Sequence, residues 1–153
     1  MKRSEAREGW LRMEVLYQPG VLQAIGRDGD KTLCKYTLRT AKAARRIKLV
    51  SDASSLKADG KDVCHVEFYI VDENNIRVPD ASNEVTFAVA GPGKVIGIDN
   101  GKRDGEVDYK DLRHEAFMGR GLAIVQSERM AGTLTIKATS QNLEPATISL
   151  GVH

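Results

Sequence analysis

Val63-Cys64-His65-Val66-Glu67-Phe68-Tyr69-Ile70-Val71-Asp72 is the stretch on which the fold turns. Cys64, Val66, Phe68 and Ile70 share one side of an extended chain and His65, Glu67 and Tyr69 the other, because successive side chains of a strand point to opposite faces. The first side is the core side. Two further stretches repeat the pattern, with Val85, Phe87 and Val89 facing inward in residues 84–90 and Leu134, Ile136 and Ala138 in residues 132–140. Outward from these three, strand signals recur at residues 47–50, 95–99, 113–117, 121–126 and 145–151. A spacing of about 8 to 12 residues between such signals predicts an all-β sandwich. Turns fall where a positive φ is needed: Ala58-Asp59-Gly60, Asp72-Glu73-Asn74-Asn75, Gly91-Pro92-Gly93 and Asp99-Asn100-Gly101. About seven strands in two sheets bury enough surface for an independently stable unit.

Upstream, residues 10–16 alternate Leu11, Met13 and Val15 with Arg12 and Glu14, and Gln18-Pro19-Gly20 then turns the chain. Residues 21–26 form a second run. Arg27-Asp28-Gly29-Asp30 supplies an Asp-Gly turn, and residues 31–40 alternate again through Leu33, Lys35, Thr37 and Arg39. The expectation is a three-strand meander without a second layer, hence part of a larger sandwich and not a domain. Ala41-Lys42-Ala43-Ala44-Arg45-Arg46 has helix-forming composition but is too short between strand signals to be more than a linker. The chain is therefore expected to divide into a disordered N-terminus (1–9), the last strands of a preceding module with its linker (10–44) and a β-sandwich (45–153). Open edges and an apolar face on residues 10–40 predict self-association there, or docking on the second module.

At 153 residues the chain is too short for a (β/α)₈ barrel, which needs about 250. Apolar and charged fractions of 41% and 29% are those of a folded soluble protein. Val, Ile and Thr make up about one residue in five, which favours sheet. Lys and Arg number 23 against 21 Asp and Glu, without the clustered basic excess of a nucleic-acid surface. No stretch approaches the roughly 18 apolar residues of a membrane span. Met1 to Glu8 carries no signal-peptide pattern, so the sequence as written predicts a cytoplasmic chain.

The chemistry-bearing motifs are weak. Gly91-Pro92-Gly93-Lys94-Val95-Ile96-Gly97 has the glycines of a phosphate loop, but β-branched residues follow where a helix N-terminus is required, so it reads as a turn. Residues 100–111 overlay a calcium loop with Asn100, Asp104, Gly105 and Asp111 at its first, fifth, sixth and twelfth positions. Lys102 sits at the third, where an oxygen ligand is needed. The acidic loop Asp99, Asp104, Glu106, Asp108 and Asp111 leaves a different carbonyl-rich cation site open. His65, His114 and His153 lack zinc spacing, and His114 and Glu115, adjacent on a strand, point to opposite faces. Ser51, Ser54 and Ser55 lie in a polar turn without a nucleophile elbow. No carboxylate pair stands out for glycoside hydrolysis. Cys34 and Cys64 each sit in an apolar alternation, which predicts buried reduced thiols, although one bridge between them is possible. Trp10 and Tyr17 are either a sugar-stacking platform or a cover for the meander's core.

Several blocks, taken in order, carry a resemblance. They are Tyr17-Gln18-Pro19-Gly20-Val21-Leu22-Gln23-Ala24, Thr37-Leu38-Arg39-Thr40-Ala41, Ile47-Lys48-Leu49 and Leu56-Lys57-Ala58-Asp59-Gly60-Lys61-Asp62. The series continues through Val71-Asp72, Val78-Pro79-Asp80-Ala81, Val85-Thr86-Phe87, Gly91-Pro92-Gly93, Asp99-Asn100-Gly101, Phe117, Gly119-Arg120 and Ile124-Val125-Gln126-Ser127. Over nearly the whole chain after Trp10 the sequence resembles the C-terminal part of glycoside hydrolase family 2 β-galactosidases. Ala58-Asp59-Gly60 and Val85-Thr86-Phe87, taken singly, also resemble bacterial immunoglobulin-like modules of the invasin and intimin kind.

The resemblance implies an immunoglobulin-like antiparallel β-sandwich at residues 45–151, preceded by the last strands of another such module. It also implies a role: a non-catalytic accessory module that packs against other domains or subunits of a parent glycosidase. The family's two catalytic glutamates lie on a barrel that has no counterpart here. No catalytic, cofactor-binding or metal residue is therefore assigned, no cofactor is expected, and the chain alone is expected to hydrolyse no glycoside. The alternatives are a carbohydrate-binding module, acting through exposed aromatics or the acidic loop, and an adhesin repeat. Neither nucleic acid nor membrane is expected as a partner. Parents of this kind are often exported.

Overall fold

The computed structural model describes residues 12–103 and 108–153. The expected disordered N-terminus (1–9) and Trp10 lie outside the described residues, as do Asp104, Gly105 and Glu106. The chain forms two compact units divided between Thr40 and Ala41.

The first unit holds a single antiparallel hairpin, β1 (Val21–Asp28) and β2 (Lys31–Arg39), joined through Gly29-Asp30 with Gly29 at φ 57°. A left-handed turn residue of this kind matches the twist of the flanking strands. Register runs from Val21 opposite Arg39 to Gly26 opposite Cys34, then shifts at a bulge so that Arg27 meets Thr32. At the open end Thr40 N–H donates to the Gly20 carbonyl and Gly20 N–H to Thr40 Oγ1, each at 2.9 Å. The third strand expected at residues 10–16 does not form in its described part: residues 12–18 have no strand structure. Alternation prepares an apolar face, but a strand also needs a neighbour for its N–H and C=O groups. Without one, Leu16 is 93% exposed.

The second unit is a sandwich. One sheet has four strands in the order β3 (Arg46–Ser51), β5 (Val63–Val71), β9 (Arg120–Ser127), β7 (Gly93–Asp99). The other has five, in the order β4 (Ser55–Leu56), β11 (Ala146–Val152), β10 (Gly132–Thr139), β6 (Glu84–Ala90), β8 (Arg113–Glu115). Pairing is antiparallel throughout except between β4 and β11. The fold is all-β, as the alternations require, and the inward sets are those read from the sequence. Cys64, Val66, Phe68 and Ile70 are fully buried, as are Leu134, Ile136 and Ala138, while Val89 is partly buried against them. Phe68 and Phe87 meet edge to face between the sheets, with centroids 5.5 Å apart. The two-residue strand β4 carries no periodic signal and was not expected.

Phe117-Met118-Gly119-Arg120 makes a tight turn ahead of β9. Met118 at φ 52° and Gly119 at φ 68° give its two central residues the left-handed conformation. Gly119 is required for a second reason: a Cβ there would stand 2.1 Å from the Val78 carbonyl oxygen. Its N–H donates to the Ala81 carbonyl, and its own carbonyl accepts from Ile70 N–H.

Candidate functional site

The described residues among those singled out by sequence do not converge. Gly91-Pro92-Gly93 is the turn leading into β7, so the segment after it is a strand in the four-stranded sheet and holds no helix N-terminus. In the acidic loop each described aspartate is occupied as a turn cap. Asp99 Oδ1 accepts from Asn100 and Gly101 N–H, Asp108 Oδ1 from Lys110 N–H, and Asp111 Oδ1 from Arg113 N–H. Asn100 Nδ2 donates to the Glu115 carbonyl at 2.9 Å. Among the described residues no group of three His, Cys, Asp or Glu side chains converges to hold a metal. Tyr17 is exposed, and its proposed partner Trp10 is not among the described residues.

His114 faces inward opposite Val85, with Glu115 on the other face, as adjacent strand residues must be. His65 stands on the outer face of β5. Its Nδ1 lies 2.8 Å from Asp52 Oδ2, and its own N–H donates to Asp52 Oδ1 at 2.8 Å. These bonds, the backbone one foremost, hold the Asp52 carboxyl below its ordinary range. Sequence inspection missed the pair because Asp52 lies on the loop after β3.

Both cysteines are free thiols. Cys64 is buried, and burial pushes its thiol up, against a hydrogen bond with Ser51 that lowers it, so it is a poor nucleophile. Cys34 corrects the expectation: it is exposed, because the described residues of its own unit form one hairpin with no second layer.

What the fold assembles instead is a clasp on the linker. Asp72, fully buried at the end of β5, accepts Lys42 N–H on Oδ2 at 2.9 Å and Asn74 and Ile76 N–H on Oδ1 at 2.8 and 2.9 Å. The Lys42 bond, then those from Ile76 and Asn74, hold its carboxyl below the usual carboxylate range. Around it Lys42 Nζ meets Glu73 at 2.6 Å, Arg45 meets Glu144 at 2.7 Å and Arg46 donates to the Glu73 carbonyl at 2.9 Å. Ala41 and Ala44 pack on the core. The sandwich unit thus begins at Ala41, a few residues before its first strand.

Two surfaces remain open. On the hairpin, opposed residues share a face, so the register places Leu22 with Leu38, Ala24 with Tyr36 and Gly26 with Cys34 on one side. As far as the bulge that side carries no charged side chain; beyond it Asp28 stands opposite Lys31. The other carries Gln23, whose side chain donates to Thr37 Oγ1, with Lys35 and Arg39. The second surface is a groove of ≈ 550 Å³ between the ends of β6 and β10, lined by polar side chains.

Two sheets, antiparallel apart from the short β4–β11 pair, closing over alternating inward side chains define an immunoglobulin-like β-sandwich domain. The sequence profile of glycoside hydrolase family 2 C-terminal domain 5 matches residues 47–149, and the chain belongs to that family. It is 33% identical to the β-galactosidase BoGH2A of Bacteroides ovatus over 153 residues, all of this chain and 18% of that enzyme. It is 34% identical over 128 residues to a β-galactosidase of Thermoanaerobacter pseudethanolicus, which covers 84% of this chain and 16% of that one. A solved β-glycosidase from Bacteroides vulgatus superposes with a TM-score of 0.86 at 30% identity, covering 90% of this chain and 18% of that structure. The chain thus spans less than a fifth of the length of these relatives, and it corresponds to a C-terminal domain of family 2 glycosidases.

Proposed function

We propose that this chain is a non-catalytic accessory region of a family 2 β-galactosidase, and that its work is domain packing and assembly. The observation that carries this is the hairpin's apolar face of Leu22, Ala24, Gly26, Cys34, Tyr36 and Leu38, on which Leu22, Tyr36 and Leu38 are each more than half exposed. An isolated two-stranded hairpin is at best marginally stable in water, and such a face needs a covering layer. The alignment to the B. ovatus enzyme includes the hairpin residues and covers 18% of that far longer chain, whose remainder supplies candidates for that layer. The occupant we propose is a neighbouring segment of the parent enzyme that completes a second sandwich over β1 and β2. The match of residues 47–149 to a glycosidase family favours this role over that of an adhesin repeat. Catalysis belongs, on this reading, to parts of the parent outside this chain.

Hydrogen exchange tests the reading. Amides of residues 22–38 are expected to exchange fast in this chain and slowly in the intact parent. Equally fast exchange in both would overturn the proposal. Pure chain should also show no turnover of a chromogenic β-galactoside. Turnover abolished by a point substitution within these 153 residues would remove the non-catalytic half of the reading.

A further inference from the structure

We propose that Asn100 is a site of self-modification: its side-chain amide is lost by attack of the Gly101 backbone nitrogen, and the product unties β8 from the end of β7. Asparagine stands at positions 74, 75, 83, 100 and 142, and the residue that follows each decides how closely a backbone nitrogen can approach the side-chain carbon. Asn74, Asn75, Asn83 and Asn142 precede Asn, Ile, Glu and Leu, whose side chains crowd that approach. Only Asn100 precedes glycine. Gly101 is exposed at φ 77°, and a Cβ there would meet nothing within 4 Å.

The hydrogen bonds of the turn are those the reaction uses. Gly101 N–H, the nucleophile, donates to Asp99 Oδ1 at 3.0 Å, so a carboxylate stands on the proton that must leave. Asn100 Oδ1 accepts Lys102 N–H at 2.9 Å, a donor aimed at the oxygen on which negative charge develops. Asn100 Nδ2 donates to the Glu115 carbonyl at 2.9 Å, which holds the side-chain amide in one rotamer. The Gly101 nitrogen bonds to Asn100 Cγ, the Cγ–Nδ2 bond breaks, and ammonia departs with the proton that Gly101 gave up. One water then opens the cyclic imide at either carbonyl, leaving aspartate or isoaspartate.

The contact that disappears is a structural one. Asn100 follows β7, the edge of the four-stranded sheet, whereas Glu115 lies on β8, the edge of the five-stranded sheet, so the Nδ2 bond joins the two sheets. In its own sheet β8 pairs with β6 alone, over three residues. A carboxylate at position 100 has no proton to donate and sets its oxygens against the Glu115 carbonyl. The modified chain therefore opens at β8 while the core strands stay closed.

The reacting residues lie wholly in the sandwich unit, so the outcome is separable from that of the assembly reading. The folded full chain, aged at mildly alkaline pH, is digested and its asparagine peptides followed by mass spectrometry, with isoaspartate detected by enzymatic methylation. Asn100 should exchange its amide for a carboxylate first, with isoaspartate among the products. Asp99→Asn keeps an oxygen to cap the turn and removes the base, and should slow that conversion by about tenfold or more. Amides of residues 113–115 should exchange hydrogen about fivefold or more faster in the aged chain and in Asn100→Asp than in the fresh chain, with β5 unmoved. Conversion of another asparagine ahead of Asn100, an unchanged rate in Asp99→Asn, or native protection of β8 in Asn100→Asp would each overturn the proposal.

Discussion

The sandwich and the hairpin are written in the same period of two, yet they end in opposite states. In β5 every second side chain is sealed at zero exposure, whereas on the hairpin Leu22 and Leu38, paired across β1 and β2, each remain 51% exposed. Alternation says which side of a strand is apolar. It does not say what covers that side, and in this chain only the second unit contains its own cover among the described residues. Among the described residues the hairpin leaves its apolar side exposed, and the sandwich closes over its own.

The sharpest way to break that contrast is to cut equivalent side chains from both. Phe68→Ala removes one half of the edge-to-face pair and leaves a cavity between the sheets, so the sandwich should lose about 3–5 kcal/mol in urea denaturation. Leu38→Ala should change the stability of this chain by no more than about 0.5 kcal/mol, as surface substitutions do. In the intact parent the same Leu38→Ala should be costly. A large effect of Leu38→Ala in this chain would show that the hairpin already has a cover, and the comparison would collapse.

The first of these effects was legible in the sequence and the rest was not. Phe68, Phe87 and Ile136 announce themselves because a local period places them, and strand positions followed within a few residues. Asp72 looked only like the start of a turn, which it is. Its bond to Lys42 joins residues thirty apart in sequence through tertiary structure, and no local pattern encodes that. The same limit explains Cys34, whose alternation resembles that of Cys64 while its surroundings differ, and residues 12–16, which have a strand's pattern but no partner. It explains the groove between β6 and β10 too. Thr86 meets Thr139, and Glu84 meets Glu115, only once two separate ladders have formed.

A second prediction concerns how the linker is held to the finished unit. Because the folded Asp72 carboxyl titrates below the ordinary aspartate value of about 3.9, its stabilising contribution is complete above that pH. It is lost as pH falls through the lower folded value. Asp72→Asn has no such titration, and its amide nitrogen cannot accept the Lys42 N–H. Thermal midpoints of native chain and variant, followed from neutral pH downward, should differ most at neutral pH and converge below about pH 4. A constant difference across that range would mean that the carboxylate charge plays no part in fastening the linker.

The smallest effect belongs to the ion pairs around that clasp. Arg45 and Glu144 meet at 2.7 Å, but both side chains are about half exposed or more, and each would otherwise be well solvated. A double-mutant cycle with Arg45→Ala and Glu144→Ala should therefore give a coupling of about 0.2–1 kcal/mol, shrinking as salt is raised. The backbone explains why so little is at stake. Ile47 N–H donates to the Glu144 carbonyl, and Glu144 N–H donates to that of Arg45, so the two segments are already bridged when the charges are gone. If the coupling instead exceeded what one partly exposed pair can supply, charge would be fastening the linker. The difference between the two units would then no longer reduce to which apolar face is covered.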